Sequence, residues 1–181
     1  DRALRPFFPD NYHADTQVMI SLISGDKNVL PDAYACMAAS AALAISDIPF
    51  NGPISEVRVG RINGEYKLNP TISDMEGSDL DMIIAASEKD IVMVEGEMKE
   101  ISEKDMLGAI KFGHEAIKKH IAAINEFAKK AGKGAKREFN HEAHDEDLRA
   151  KINKELYEKA YAVAGSGNPN KSERKVAFGK I

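Results

Sequence analysis

The sequence predicts an α+β fold in which helices cover one face of a mostly antiparallel sheet. Three observations carry this. Asn63-Gly64 sits between two alternating stretches and marks a tight hairpin. Asp79 to Ala86 and Asp90 to Met98 are two more strand-like runs, joined only by Ser87-Glu88-Lys89, so they pair antiparallel. Apolar-periodic segments precede and follow these strands, a layered arrangement distinct from strict strand-helix alternation.

Taken in order, Thr16 to Ser24 reads as a first strand, because Val18, Ile20 and Leu22 recur with period two and Gly25-Asp26 ends the run. Pro31-Asp32 opens an alanine-rich helix through about Ser46, with Cys36, Ala39, Leu43 and Ser46 on one face. Its small side chains let it lie close to a neighbour. After the Asn51-Gly52-Pro53 turn, Val57 to Ile62 and Tyr66 to Leu68 form the hairpin, and 69–78 is a polar stretch. Ser102, with Asp105 three residues on, is an acidic variant of the capping box that starts a long helix to about Ala131. Met106, Ile110, Ile117, Ile121, Ile124 and Phe127 form its apolar stripe. The pattern then breaks. The sequence predicts a core domain over 1–131, a polar linker over 132–146 and a helical segment over 147–181, with Leu148, Ile152, Leu156 and Ala160 at helical spacing. Asp1 runs without Met directly into Arg2, Leu4 and Arg5, and the chain stops inside helical spacing at Ile181, so both ends read as truncations.

With 43% hydrophobic and 30% charged residues, the chain has the balance of a globular domain with an appendage. Its net charge of −4 gives no global basic field, so any nucleic-acid contact has to be a local patch. The single cysteine, Cys36, excludes an internal disulfide framework and a thiol zinc cluster. No run approaches the roughly 20 apolar residues of a membrane span. A reducing, cytoplasmic setting without membrane partners is the expectation.

Few residues point to chemistry. Asp74, Glu76, Asp79 and Asp81 could offer oxygen ligands to a hard cation, but a solvated loop rim explains them more simply. His141 and His144 lack a third ligand, and His114 and His120 are better read as satisfied helix residues than as acid-base groups. Ser40 lacks the flanking glycines of a nucleophile elbow. Arg2 and Arg5 beside Phe7-Phe8 combine cations with aromatic faces, which suits single-stranded nucleic acid. The alternative is that Phe7 and Phe8 anchor the segment to the core.

Several segments together resemble the first core domain of bacterial polynucleotide phosphorylases. They are Arg5-Pro6-Phe7-Phe8-Pro9, Ala38-Ala39-Ser40-Ala41-Ala42-Leu43, Ile48-Pro49-Phe50-Asn51-Gly52-Pro53-Ile54, Leu68-Asn69-Pro70-Thr71, and Met106-Leu107-Gly108-Ala109 with Phe112-Gly113-His114-Glu115. The likeness runs from Asp1 to Ala131, and the tail resembles the opening of that family's helical domain. It implies an RNase PH-like (ribosomal protein S5 domain 2-like) β-α sandwich followed by a partial all-α segment. It further implies a parent enzyme that shortens RNA from its 3′ end with inorganic phosphate, releasing nucleoside diphosphates reversibly. Such an enzyme has a second, catalytic core that uses Mg²⁺, forms a homotrimeric ring around an RNA channel, and takes degradosome-type protein partners.

The same resemblance assigns this core no catalytic residue and no metal. The family's serine-rich phosphate turn is replaced by Leu30-Pro31-Asp32-Ala33-Tyr34-Ala35, where proline lacks an amide donor and Asp32 repels an anion. The positions of the family's two aspartates and lysine fall on Met75, Asp81 and Ile83. What remains is ring assembly and RNA guidance, with Arg2 and Arg5 as the RNA-binding candidates. An independently active nuclease would need the missing serines and aspartate. A purely structural trimerisation module without RNA contact is the other alternative.

Overall fold

A computed structural model describes residues 1–132, 135–140 and 144–181. The chain divides into two compact units, Asp1–Asn140 and His141–Ile181. The division falls inside the stretch read as linker. The prediction for His141 lies outside the described residues.

The first unit is built on a four-stranded antiparallel sheet: β1 (Ser55–Ile62), β2 (Glu65–Leu68), β3 (Ser78–Ala86) and β4 (Ile91–Met98), in the order β2-β1-β3-β4. The hairpin forms as read: Asn63 and Gly64 both take positive φ, +52° and +83°, which a two-residue turn between twisted strands requires. In the β1/β3 register Val57 pairs with Ile84, Arg58 with Ile83 and Gly60 with Asp81. Since side chains alternate between faces, Val57 and Val59 point one way with Leu80, Met82, Ile84 and Ala86, and all are buried against α3 (Glu103–Lys130) through Ala109, Ile117 and Ile121. Gly113 permits the close approach. A Cβ there would stand 2.7 Å from Ile84 Cδ1 and about 3.1–3.2 Å from Val59 and Val57 Cγ2.

The expectation that helices cover one face requires correction. Glu56 and Arg58 project from the other face, where they meet Cys36 and Asp32 of α1 (Asp32–Ile45). Ala85, pointing the same way, shares a second core with Cys36, Ala39, Leu43, Phe50 and Ile54. The physical reason lies in Glu56: its carboxyl meets the Cys36 thiol in the α1 interface, which a solvated face would not allow. Buried Ser40 accepts the Ile54 N–H at 3.0 Å and so ties α1 to the start of β1.

The predicted strand over 16–24 does not form. The segment is irregular and largely exposed, Ile23 to 97%. Its alternation is real, but a strand needs a neighbour to satisfy its backbone, and none of the described residues pairs with it. Within the polar stretch the structure adds α2 (Ile72–Met75), a single turn closed by a Thr71/Asp74 capping box. On α3 the buried position near the end is Ala128, and Phe127 is 47% exposed. The second unit is α4 (Glu146–Gly165) and α5 (Lys171–Phe178), capped by Asp145 and Asn170, with no buried residue in either helix. Among the described residues no helix is long and apolar enough to cross a membrane.

Candidate functional site

The α1-facing side of the sheet gathers the residues that the alignment singled out. Arg58 and Gly60 on β1 lie beside Ile83 and Asp81 on β3. A Cβ on Gly60 would lie 3.4 Å from Met75 Sδ. Above them stands the first turn of α1, whose N-cap is Pro31 and makes no side-chain capping bond; the Asp32 carboxylate accepts the Ala33 N–H instead. The positive end of a helix is a natural anion site, but here it is already served by the chain's own carboxylate.

Arg58 occupies the middle. Its Nη1 donates to Asp81 and its Nη2 to Asp32 in two charged hydrogen bonds. The arginine side chain is 12% exposed, against 47% for Asp32 and 39% for Asp81. Its Nε is buried and is the one such side-chain atom without a partner among the described residues. Burial alone would lower the guanidinium pKa; hydrogen bonding and charge from Asp32 and Asp81 more than offset this and hold it above its usual value. Beside the triad, burial pushes the Cys36 thiol up to about 12, with Glu56 adding to the effect. Glu56 is itself raised by burial, and the charge of Asp32 acts in the same direction.

The acidic cluster that the sequence offered as cation ligands is dispersed. Asp74 caps α2 and pairs with Lys67 at 2.7 Å. Asp79 receives the Arg61 guanidinium at 2.6 and 2.9 Å, and Arg61 also reaches Asp105 at 2.8 Å. Asp81 belongs to Arg58. Among the described residues no three His, Cys, Asp or Glu side chains are placed to hold a metal. The Mg²⁺ that the resemblance associates with the catalytic core does not fit these residues: of the aligned positions only Asp81 is a carboxylate, and it already binds a cation of this chain.

The histidines of α3 serve the fold. His114 Nε2 lies 3.0 Å from the Ser87 carbonyl, and His120 Nδ1 lies 3.0 Å from Ser55 Oγ, with burial lowering the His120 pKa. Arg2 and Arg5 are both exposed, and each has a carboxylate partner: Arg2 pairs with Glu95 on β4, and Arg5 grips Asp1 at 2.6 and 3.1 Å. Arg5 lines a cleft of about 580 Å³ with Phe8, Tyr12 and Val18, but Asp1, Asp10 and Asp15 line it too. Phe7 and Phe8 pack on Phe50 at ring distances of 6.0 and 5.3 Å, so their role here is anchorage. The residue that sequence reasoning missed is Arg58. Its signal was a cation at a position that alternation turns away from the valines.

Comparison with known proteins agrees with this architecture. The profile of the 3′ exoribonuclease family, domain 2, matches residues 52–116, which span β1 through the first half of α3. The polyribonucleotide nucleotidyltransferases of Phocaeicola vulgatus and Bacteroides fragilis are each 56% identical over 181 residues, all of this chain and 26% of theirs. That of Cytophaga hutchinsonii is 53% identical over 178 residues, 98% of this chain and 25% of its own. The chain thus spans about a quarter of the length of these curated relatives. Identity of 56% over the whole chain, together with the matched domain, places the chain in the polyribonucleotide nucleotidyltransferase family, as a segment carrying an RNase PH-type domain.

Proposed function

We propose that this chain is a non-catalytic segment of a 3′-to-5′ phosphorolytic exoribonuclease, in which RNA and inorganic phosphate yield nucleoside diphosphates reversibly. Its role there is assembly of a homotrimeric ring and guidance of RNA, with chemistry and Mg²⁺ confined to a second core, in the cytoplasm and with degradosome-type partners. The observation that carries the non-catalytic reading is the Asp32–Arg58–Asp81 bridge: the retained carboxylate, Asp81, is paired with Arg58, and the helix start that would face phosphate carries Asp32, held by the same guanidinium. A phosphoryl-transfer centre needs free carboxylates for metal and free donors for the anion. The deciding experiment is phosphate-dependent release of nucleoside diphosphate from poly(A) with Mg²⁺. Activity is expected in a full-length relative and not in this chain; activity in this chain would overturn the reading.

Arg2 and Arg5 are the proposed phosphate contacts. In the full-length protein, Arg2→Ala and Arg5→Ala are each expected to flatten the salt dependence of oligo(A) binding by about 0.7 in the log-log slope. A second reading, a structural trimerisation module without RNA contact, is favoured by the pairing of both arginines with carboxylates and by the three aspartates lining the Arg5 cleft. Unchanged binding across salt in both variants would select it.

A further inference from the structure

We propose that Arg58 is a built-in counter-cation: its guanidinium fills the position between Asp32 and Asp81 that would otherwise take a hard divalent cation, and so keeps this face of the sheet closed to metal. The inference concerns this chain's own ion chemistry and holds or fails whatever its role toward RNA.

Two features set this bridge apart from a surface ion pair. The first is its inverted burial. An arginine paired at a surface usually keeps its head in water, but here the cation is the buried member and both carboxylates reach solvent. An ion arriving from water would meet the same oxygens that Arg58 holds from within. The second is the Nε–H of Arg58, buried without an acceptor. Buried donors almost always find partners, so a guanidinium left short on one side is positioned by the two carboxylates, not by the needs of its whole donor set.

Glu56 lies on the same face next to Asp32, so up to three carboxylates share this corner with the Arg58 guanidinium, and the α-ammonium of Asp1 is a second positive charge that acts on Glu56. Ile83, paired with Arg58 in the register, and Gly60, paired with Asp81 and close to Met75, add no charge. Without the guanidinium, two converging carboxylates must gain protons or a counter-ion. Mg²⁺ keeps several of its waters and takes only one or two carboxylates from a protein.

The test uses the 181-residue chain, with Mn²⁺ as a paramagnetic probe followed by water proton relaxation, and with thermal melting alongside. Arg58→Met keeps the apolar stem and removes the charge. It is expected to gain saturable Mn²⁺ binding that the parent lacks, together with a rise in melting temperature on adding Mn²⁺ that the parent does not show. Adding Asp81→Asn to Arg58→Met should abolish the gain, and Arg58→Lys, which restores a cation, should not acquire it. A cooperatively melting Arg58→Met chain without saturable Mn²⁺ binding overturns the proposal, as does a parent that binds Mn²⁺ equally well. If Arg58→Met is unfolded, recovery of cooperative melting with Mn²⁺ is the expected result, and no recovery counts against the proposal.

Discussion

At the residue scale, Gly113 decides how close α3 comes to the sheet. Substitution by alanine would regain about 1 kcal/mol of helix propensity, which partly masks the crowding. Gly113→Val adds bulk against Ile84, Val57 and Val59 with a smaller gain, and overpacking of this kind costs about 1–3 kcal/mol. Urea unfolding of the chain should show a lower midpoint of that size with an unchanged slope. The same scale shows where the sequence was silent. Asp81 and Asp32 were visible as an aligned aspartate and a helix-opening acid, but their shared partner was not. Arg58 is 26 residues from Asp32 and 23 from Asp81, and only the β1/β3 register and the α1 crossing bring the three together. Arg2 and Arg5 were read as cations beside aromatics. The carboxylates that hold them, Glu95 and Asp1, include one supplied by a strand at the far side of the sequence.

At the scale of elements, the strongly periodic or turn-punctuated pieces were legible: the hairpin at Asn63-Gly64, the two strands around 87–89, and the long helix begun by Ser102. What failed did so because a pattern records which face wants burial and not what supplies the neighbour. The 16–24 segment alternates like a strand yet has no ladder partner, and α1 looked able to join α3 on one face until Glu56 and Arg58 showed which way its own contacts lie. The short α2 was hidden because a four-residue helix has no periodicity to read. Its capping box was present as Thr71 and Asp74, and it carries a pH prediction. The Asp74 carboxyl is lowered from 3.8 to about 2, first by the Lys67 hydrogen bond and then by Thr71. A carboxyl depressed in the folded state stabilises fully above its unfolded pKa and loses that contribution as pH falls through the folded one. The contribution is therefore complete above about pH 4 and fades towards about pH 2. Melting temperature followed over that window should fall less steeply in Asp74→Asn than in the parent chain.

At the scale of the whole first unit, closure comes from segments far apart in sequence. The last carbonyls of α1 have no intrahelical donors, and Lys136, some 90 residues on, donates to two of the carbonyls at this end, Leu43 and Ser46, both at 2.8 Å. Arg137 continues the join: its N–H meets the Asp47 carbonyl at 2.7 Å and its guanidinium grips the Asp47 carboxylate. Phe139 then packs edge-on against Tyr12 at 5.4 Å, Tyr12 stacks on Phe8, and Phe8 rests on Phe50. The leading segment, the end of α1 and the stretch after α3 are thereby fastened at one corner. The charge of Lys136 also suits the negative end of a helix, so the join is electrostatic as well as geometric. The two contributions separate by substitution. Lys136→Met keeps the aliphatic stem and takes this donor from the Ser46 carbonyl, while the Leu43 carbonyl keeps the Ser46 N–H and hydroxyl; the loss should cost about 1 kcal/mol. Arg137→Gln removes a solvent-exposed pair and should cost less. Denaturant unfolding of both variants ranks them. If the order were reversed, the exposed Asp47 pair rather than the capping of α1 would be holding this corner shut.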